Sequence, residues 1–217
     1  MLRNAKGELY LKGVIFDLDD TLVDSFAARQ LALESVFQQV GIDAPTAQQF
    51  LVSLNGRQMS GTLEELAPGY KIDGKDLSDA YLDYYWNKEP GLIRLYPGIR
   101  SLLEVFGSHG IKMGVVTQKG REFKVGGRIA GTASELAELG VASLFSVVIG
   151  FEDVSRHKPD PEGVQLALKR LGVLPEEALL VGDSASDINA AREAGCLSCH
   201  CWSGGKEDAR SGDPPTG

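Results

Sequence analysis

The 217-residue chain has no apolar run long enough to span a bilayer, and its first residues, Met1-Leu2-Arg3-Asn4-Ala5-Lys6, lack the apolar stretch of a signal peptide. A cytoplasmic protein with no membrane partner is therefore the expectation. It also lacks a basic face: the formal charge is −8, which argues against a dedicated nucleic-acid binder. Cysteine is scarce, and its three occurrences, Cys196, Cys199 and Cys201, are clustered and odd in number, which does not suit a disulfide framework. The stretch Cys196-Leu197-Ser198-Cys199-His200 matches a haem-attachment pattern and also resembles a soft metal site. The same residues follow a helix pattern ending at Gly195, and covalent haem belongs to exported proteins, so a strand is the preferred reading. What remains is ordinary for a soluble globular chain: 43% hydrophobic and 24% charged residues. The length suits one large α/β domain, or a core with a smaller insert.

Five short apolar runs read as strands: Leu11 to Phe16, Ile111 to Val116, Phe145 to Ile149, Ala178 to Val181 and Leu197 to Cys201. Most lack polar alternation, as strands covered on both faces do. A helical pattern precedes each of the last four: Ile99 to Phe106, Ala133 to Leu139, Pro161 to Leu171 and Ala185 to Ala194, three of them stopped by Gly140, Gly172 or Gly195. Alternating strands and helices imply βαβ units and a parallel sheet. About ninety residues separate the first two strands, too many for a crossover. They hold helical patterns over Phe26 to Val40, Pro45 to Leu54, Met59 to Leu66 and Leu77 to Trp86, and read as an inserted helical domain. The aromatic stripe Tyr81, Tyr84, Tyr85 and Trp86 is assigned to that insert's own core. Residues 205–217, rich in Gly, Pro and charge, read as a disordered tail.

The first strand ends in three carboxylates within four residues, Asp17, Asp19 and Asp20. Ligands of parallel α/β sheets bind beyond the carboxyl ends of the strands. In an extended chain Asp17 and Asp19 share a side, and carboxylates that close raise each other's pKa unless a cation intervenes. A hard divalent ion, magnesium, with one carboxylate free to attack an electrophile, accounts for both. Other strand ends carry matching chemistry. Thr117-Gln118-Lys119 offers a hydroxyl and backbone N–H groups for phosphate oxygens. Lys158 can neutralise a transferring phosphoryl group, and Asp183 lies one helical turn from Asp187.

These segments, DLDDTLVDS from Asp17, VVTQK ending at Lys119, HKPDPE from His157 and VGDSASD ending at Asp187, resemble the haloacid dehalogenase-like hydrolase superfamily. The resemblance falls in the branch of phosphoglycolate phosphatase and β-phosphoglucomutase. It implies a Rossmann-like α/β core over residues 1–24 and 96–204, strand order 3-2-1-4-5, and a helical cap over residues 25–95. It further implies that Asp17 is a nucleophile forming an aspartyl-phosphate, and that Asp19 is acid and then base. Thr117, Gln118 and Lys158 would hold phosphate, with Lys158 also pairing with Asp17. Mg²⁺ would be held by Asp17, the backbone carbonyl of Asp19, and Asp183, with Asp187 supporting the metal shell. In the cap, Gly56 and Arg57 match the substrate loop, although Arg57 reads equally well as an exposed helix-start arginine. Gln118 replaces an asparagine common in relatives. The long, glycine-rich stretch Lys119 to Gly131 is either a flap over the site or a surface loop, the latter slightly preferred. The expected activity is hydrolysis of a small phosphorylated metabolite, phosphoglycolate-like or a sugar phosphate. A sugar phosphomutase is the alternative, a non-catalytic binding protein a more distant one, and the oligomeric state is left open.

Overall fold

The computed structural model describes residues 10–42, 44–54, 57–70, 72–87 and 91–201. Strand β1 (Gly13–Phe16) lies at the centre of a five-stranded parallel sheet. Its neighbours are β4 (Lys112–Val116) on one side and β8 (Ala178–Gly182) on the other; β7 (Val147–Ile149) and β9 (Leu197–His200) form the edges. In chain order of the five, this is 3-2-1-4-5, so Asp17 emerges between the ends of β4 and β8. All four residues of β1 are buried because both faces are covered, which is why an unalternating apolar run marked it.

Alternation along β1 divides the interior. Ile15 packs with Val164, Leu168 and Leu171 of α7 (Glu162–Leu171) and with Ala190, Ala191 and Ala194 of α8 (Ala185–Ala194). Val14 and Phe16 face the opposite layer, with Leu103 of α5 (Ile99–Ser108) and Leu136 of α6 (Thr132–Glu138). Phe16 meets Phe145 edge-on at 6.3 Å. Left-handed glycines, Gly172 (φ +63°) and Gly195 (φ +81°), stop α7 and α8, a conformation that a Cβ would strain.

Between β1 and β4 lie α1 (Phe26–Gln39), α2 (Ala44–Ser53), α3 (Met59–Leu66) and α4 (Gly74–Trp86). Their buried residues, including Leu33, Phe37, Leu63 and Leu77, continue the Val14–Phe16 cluster. Two strands too short to show a pattern, β2 (Val23–Asp24) and β3 (Arg94–Leu95), pair antiparallel and bring the two ends of this helical insert side by side.

The segment Lys119 to Gly131 departs from the surface-loop preference. It forms a hairpin, β5 (Phe123–Val125) and β6 (Arg128–Ala130), turned at Gly126 and Gly127. Phe123 meets Trp86 of α4 edge-on at 5.8 Å. At its root the Glu152 carboxylate accepts from the backbone N–H groups of Arg121 and Glu122, both at 2.9 Å, and Arg121 Nε pairs with Asp153 at 2.9 Å. Sequence pattern missed the hairpin because its strands are three residues each, too short for periodicity.

Candidate active site

At the carboxyl ends of β1, β4 and β8 the buried ammonium of Lys158 donates to Asp17 Oδ1 at 2.6 Å, Asp187 Oδ1 at 2.6 Å and the Val116 carbonyl at 3.0 Å. Asp183 completes the cluster: oxygens of Asp17, Asp183 and Asp187 lie within 4.8 Å of one another. Asp187 is 1% exposed, and its second oxygen accepts from the Ser184 backbone N–H at 3.1 Å and hydroxyl at 2.5 Å, closing a capping box on α8. Gly182 permits this arrangement, since a Cβ there would overlap the Asp187 carboxyl.

Three carboxylates around one lysine leave a surplus of negative charge. Burial pushes the Asp17 carboxyl up to about 7; Asp187 and Asp183 add to the rise, and Lys158 only partly opposes it. Burial would lower the Lys158 pKa, but Asp17 and Asp187 outweigh it and raise it. Such a donor set, all carboxylate oxygen, fits a hard divalent cation.

Asp19 departs from the expectation that it and Asp17 would raise each other's pKa. After Phe16 the chain turns, with the N–H groups of Leu22 and Val23 both bonded to the Leu18 carbonyl at 2.9 and 3.0 Å. The Asp19 carboxylate accordingly faces different partners: its Oδ1 accepts from the Ser25 hydroxyl at 2.5 Å and from Lys119 Nζ at 2.9 Å. Burial favours the neutral acid, but Lys119, Arg29 and the Ser25 hydroxyl outweigh it and draw Asp19 down to about 2. The acids that press on Asp17 are Asp187 and Asp183. The Asp19 carboxylate stands outside the three-acid cluster.

Thr117, 6% exposed, follows β4 directly, and its hydroxyl accepts from the Lys119 backbone N–H at 3.1 Å. Gln118 donates its side-chain amide to the Lys158 carbonyl at 3.0 Å, so the side chain steadies the lysine loop. A cavity of about 860 Å³ opens above these groups, bounded by α1, α3, α4 and the hairpin. Arg57 reaches it from the insert, half exposed and paired with Glu65 at 2.6 Å. Gly56 lies outside the described residues. The aromatic stripe serves two purposes: Tyr81, Tyr85 and Trp86 are buried in the insert and also line the cavity, whereas Tyr84, 45% exposed, is not part of the insert's core.

Several residues of this site were given no side-chain role by sequence, or were not marked at all. Asp20, in left-handed backbone (φ +62°), pairs with Arg29 of α1 at 2.5 Å. Lys119 binds Glu135 of α6 and Tyr85 of α4 as well as Asp19. The alternation of Thr117 with Lys119 was the one local signal; Arg29, Glu135 and Tyr85 looked like ordinary helix residues.

A parallel sheet with a carboxylate–lysine cluster at its carboxyl edge and a helical insert over it defines an α/β protein with a charged site at its strand ends. The chain belongs to the haloacid dehalogenase-like hydrolase family, whose model matches residues 14–200. Among its relatives are phosphoglycolate phosphatases of Salmonella typhimurium, 33% identical over 210 residues (87% of this chain, 80% of that one), and of Yersinia pseudotuberculosis, 35% identical over 193 residues (86% and 78%). A solved structure described as a predicted phosphoglycolate phosphatase from Haemophilus somnus 129pt superposes with a TM-score of 0.74 at 26% identity, covering 88% of this chain and 84% of that one. A β-phosphoglucomutase from Clostridium difficile shares the fold, with a TM-score of 0.71 at 23% identity and coverage of 88% and 84%.

Proposed function

We propose that this protein hydrolyses a small anionic phosphate monoester, with 2-phosphoglycolate the first substrate to try. The observation that carries the reading is the buried Lys158 joining Asp17 to Asp187 beside Asp183, lining a cavity with Asp19 on its wall. Asp17 Oδ attacks phosphorus while the ester oxygen departs with a proton from Asp19, leaving an aspartyl-phosphate. Asp19, again anionic, then takes a proton from the attacking water, and inorganic phosphate leaves Asp17. A carboxyl drawn down to about 2 supplies the ionised form from which the second role starts. The first asks for proton uptake, which an approaching phosphate dianion favours by raising the Asp19 pKa.

Lys158 balances charge on Asp17 and on the phosphoryl oxygens, and the Thr117 hydroxyl with nearby backbone N–H groups holds those oxygens. Asp17, Asp183 and the Asp19 backbone carbonyl would hold Mg²⁺, which when bound neutralises the surplus charge and keeps Asp17 ionised. Asp187, engaged by Lys158 and Ser184, keeps the cluster in register. Helices α1 to α4 act as a cap that excludes bulk water during transfer, with Arg57 at its rim set to meet a substrate anion.

The test is phosphate release from a panel containing 2-phosphoglycolate, glucose 1-phosphate and glucose 6-phosphate, with Mg²⁺. Metal-dependent release, fastest from a small acid ester, is expected. Interconversion of glucose phosphates without net release would establish the mutase reading instead, and silence on every ester would reject both.

A further inference from the structure

Lys119 is part-buried, its side chain 14% exposed, yet the phosphoryl-transfer scheme above gives it no task. Its ammonium donates to Asp19 Oδ1 at 2.9 Å, to the Tyr85 hydroxyl oxygen at 3.0 Å and to the Glu135 carboxylate at 3.1 and 3.3 Å. An ammonium has three hydrogens, and here they go to three partners on three elements: the loop after β1, α4 of the insert, and α6 of the core. Tyr85 closes the ring by donating to Glu135 at 3.3 Å. Glu135 is 1% exposed, and a carboxylate so buried persists only with a cation beside it. The rings of Tyr85 and Trp86 flank the same ammonium at 5.0 and 5.8 Å.

The surroundings make this junction stiff. The hairpin is tied to the core through Glu152 and the Arg121–Asp153 pair, and its Phe123 abuts Trp86 on α4. Lys119 and Ser25 both hold Oδ1 of Asp19, whereas among the described residues Oδ2 carries no hydrogen bond. Oδ2 is thus the oxygen left for a substrate.

We propose that Lys119 is a positioning residue. It fixes Asp19 by Oδ1 so that Oδ2 meets the ester oxygen, and by sharing its ammonium with Tyr85 it makes that orientation depend on α4 being docked against the hairpin. The inference rests on the reading of Asp19 as proton donor to the leaving group. It predicts a dependence on leaving group: an aliphatic alkoxide departs only with a proton, whereas p-nitrophenolate leaves without one.

The experiment compares kcat and KM for the fastest aliphatic ester of the panel and for p-nitrophenyl phosphate, both with Mg²⁺. The proteins are the full chain and its Tyr85→Phe, Lys119→Arg and Lys119→Met/Glu135→Gln forms. The double substitution removes the ion pair together and strands no charge. Tyr85→Phe should lower kcat on the aliphatic ester about fivefold, the scale of one hydrogen bond, and the double variant about 100-fold, with KM nearly constant. The loss on p-nitrophenyl phosphate should be at least about tenfold smaller for the double variant, and Lys119→Arg should recover part of the aliphatic activity. Tyr85→Phe keeps the Lys119–Glu135 pair, so it carries the test even where the double variant fails to fold. Equal losses on both esters, a change confined to KM, or a silent Tyr85→Phe would overturn the proposal. A wild type inactive on both esters would instead reject the proposed function, and this inference with it.

Discussion

The two rims of the cavity are built differently. On the core rim Lys158, its side chain 4% exposed, is bonded to three acceptors that come from the ends of separate elements. On the insert rim Arg57 is 55% exposed and pairs with Glu65, itself 65% exposed. A sheet packed on both faces leaves its strand ends nowhere to move, so groups placed there are held to their geometry before substrate arrives. A surface pair between a loop and a short helix is screened by water and reorganises at little cost. The core rim is suited to chemistry that every substrate shares, and the insert rim to the part that differs between substrates. Lys119 and Tyr85 are where the two rims meet.

The comparison breaks most directly at Asp17. Asp17→Asn keeps the shape but removes the charge proposed to attack phosphorus, and turnover should fall by about 10⁴-fold or more. Steady-state phosphate release checks this, and substantial activity, once deamidation is excluded by mass spectrometry, would move the nucleophile elsewhere.

Lys158→Met should expose the charge surplus in the fold itself. Removing one partner of a buried ion pair strands the others, and denaturant unfolding of the metal-free protein should show a loss of about 3–5 kcal/mol. The same substitution without a stability change would mean that the acids there are neutral or hydrated.

The third test uses pH. Asp17 has its carboxyl raised from 3.8 to about 7, so on its account the metal-free fold is most stable below pH 4 and loses stability as pH rises toward 7. Asp19 runs the other way: its carboxyl is drawn down to about 2, so its contribution is present above pH 4 and is lost as pH falls toward 2. A divalent cation must displace the proton on Asp17, so Mg²⁺ affinity should rise by roughly tenfold per pH unit below about pH 7 and level off above it. Thermal melts with and without Mg²⁺ between pH 5 and 8 should accordingly diverge; a constant gap would count against Asp17 as a ligand.

The smallest effect is expected on the insert rim. Arg57→Ala should change stability by less than about 1 kcal/mol, as exposed pairs do. It should raise KM for esters with a second anionic group, such as 2-phosphoglycolate, by about tenfold or less while leaving p-nitrophenyl phosphate nearly untouched, since one exposed charged contact is at stake. A loss on both esters alike would make the insert rim part of the shared machinery and erase the contrast.

Local pattern was enough for the sheet and for the acids and lysine on its rim. An unalternating run such as Val14-Ile15-Phe16 is legible because a doubly covered strand is apolar throughout, and glycines after helices mark their ends through backbone geometry alone. Asp17, Thr117, Lys158 and Asp183 were legible because each directly follows a strand or its loop in a parallel sheet, a position that converts order in sequence into proximity in space. Tertiary structure decided the rest. Lys119 and Glu135 are 16 residues apart in sequence, and Lys119 and Asp19 are 100 apart, yet they share one hydrogen-bonded junction. No periodicity announces such a pair, because charges interact by distance through the packed interior and not along the chain. The same holds for Asp19: two residues from Asp17, its pKa is lowered by Lys119, Arg29 and Ser25, because the turn after Phe16 hands it to other neighbours.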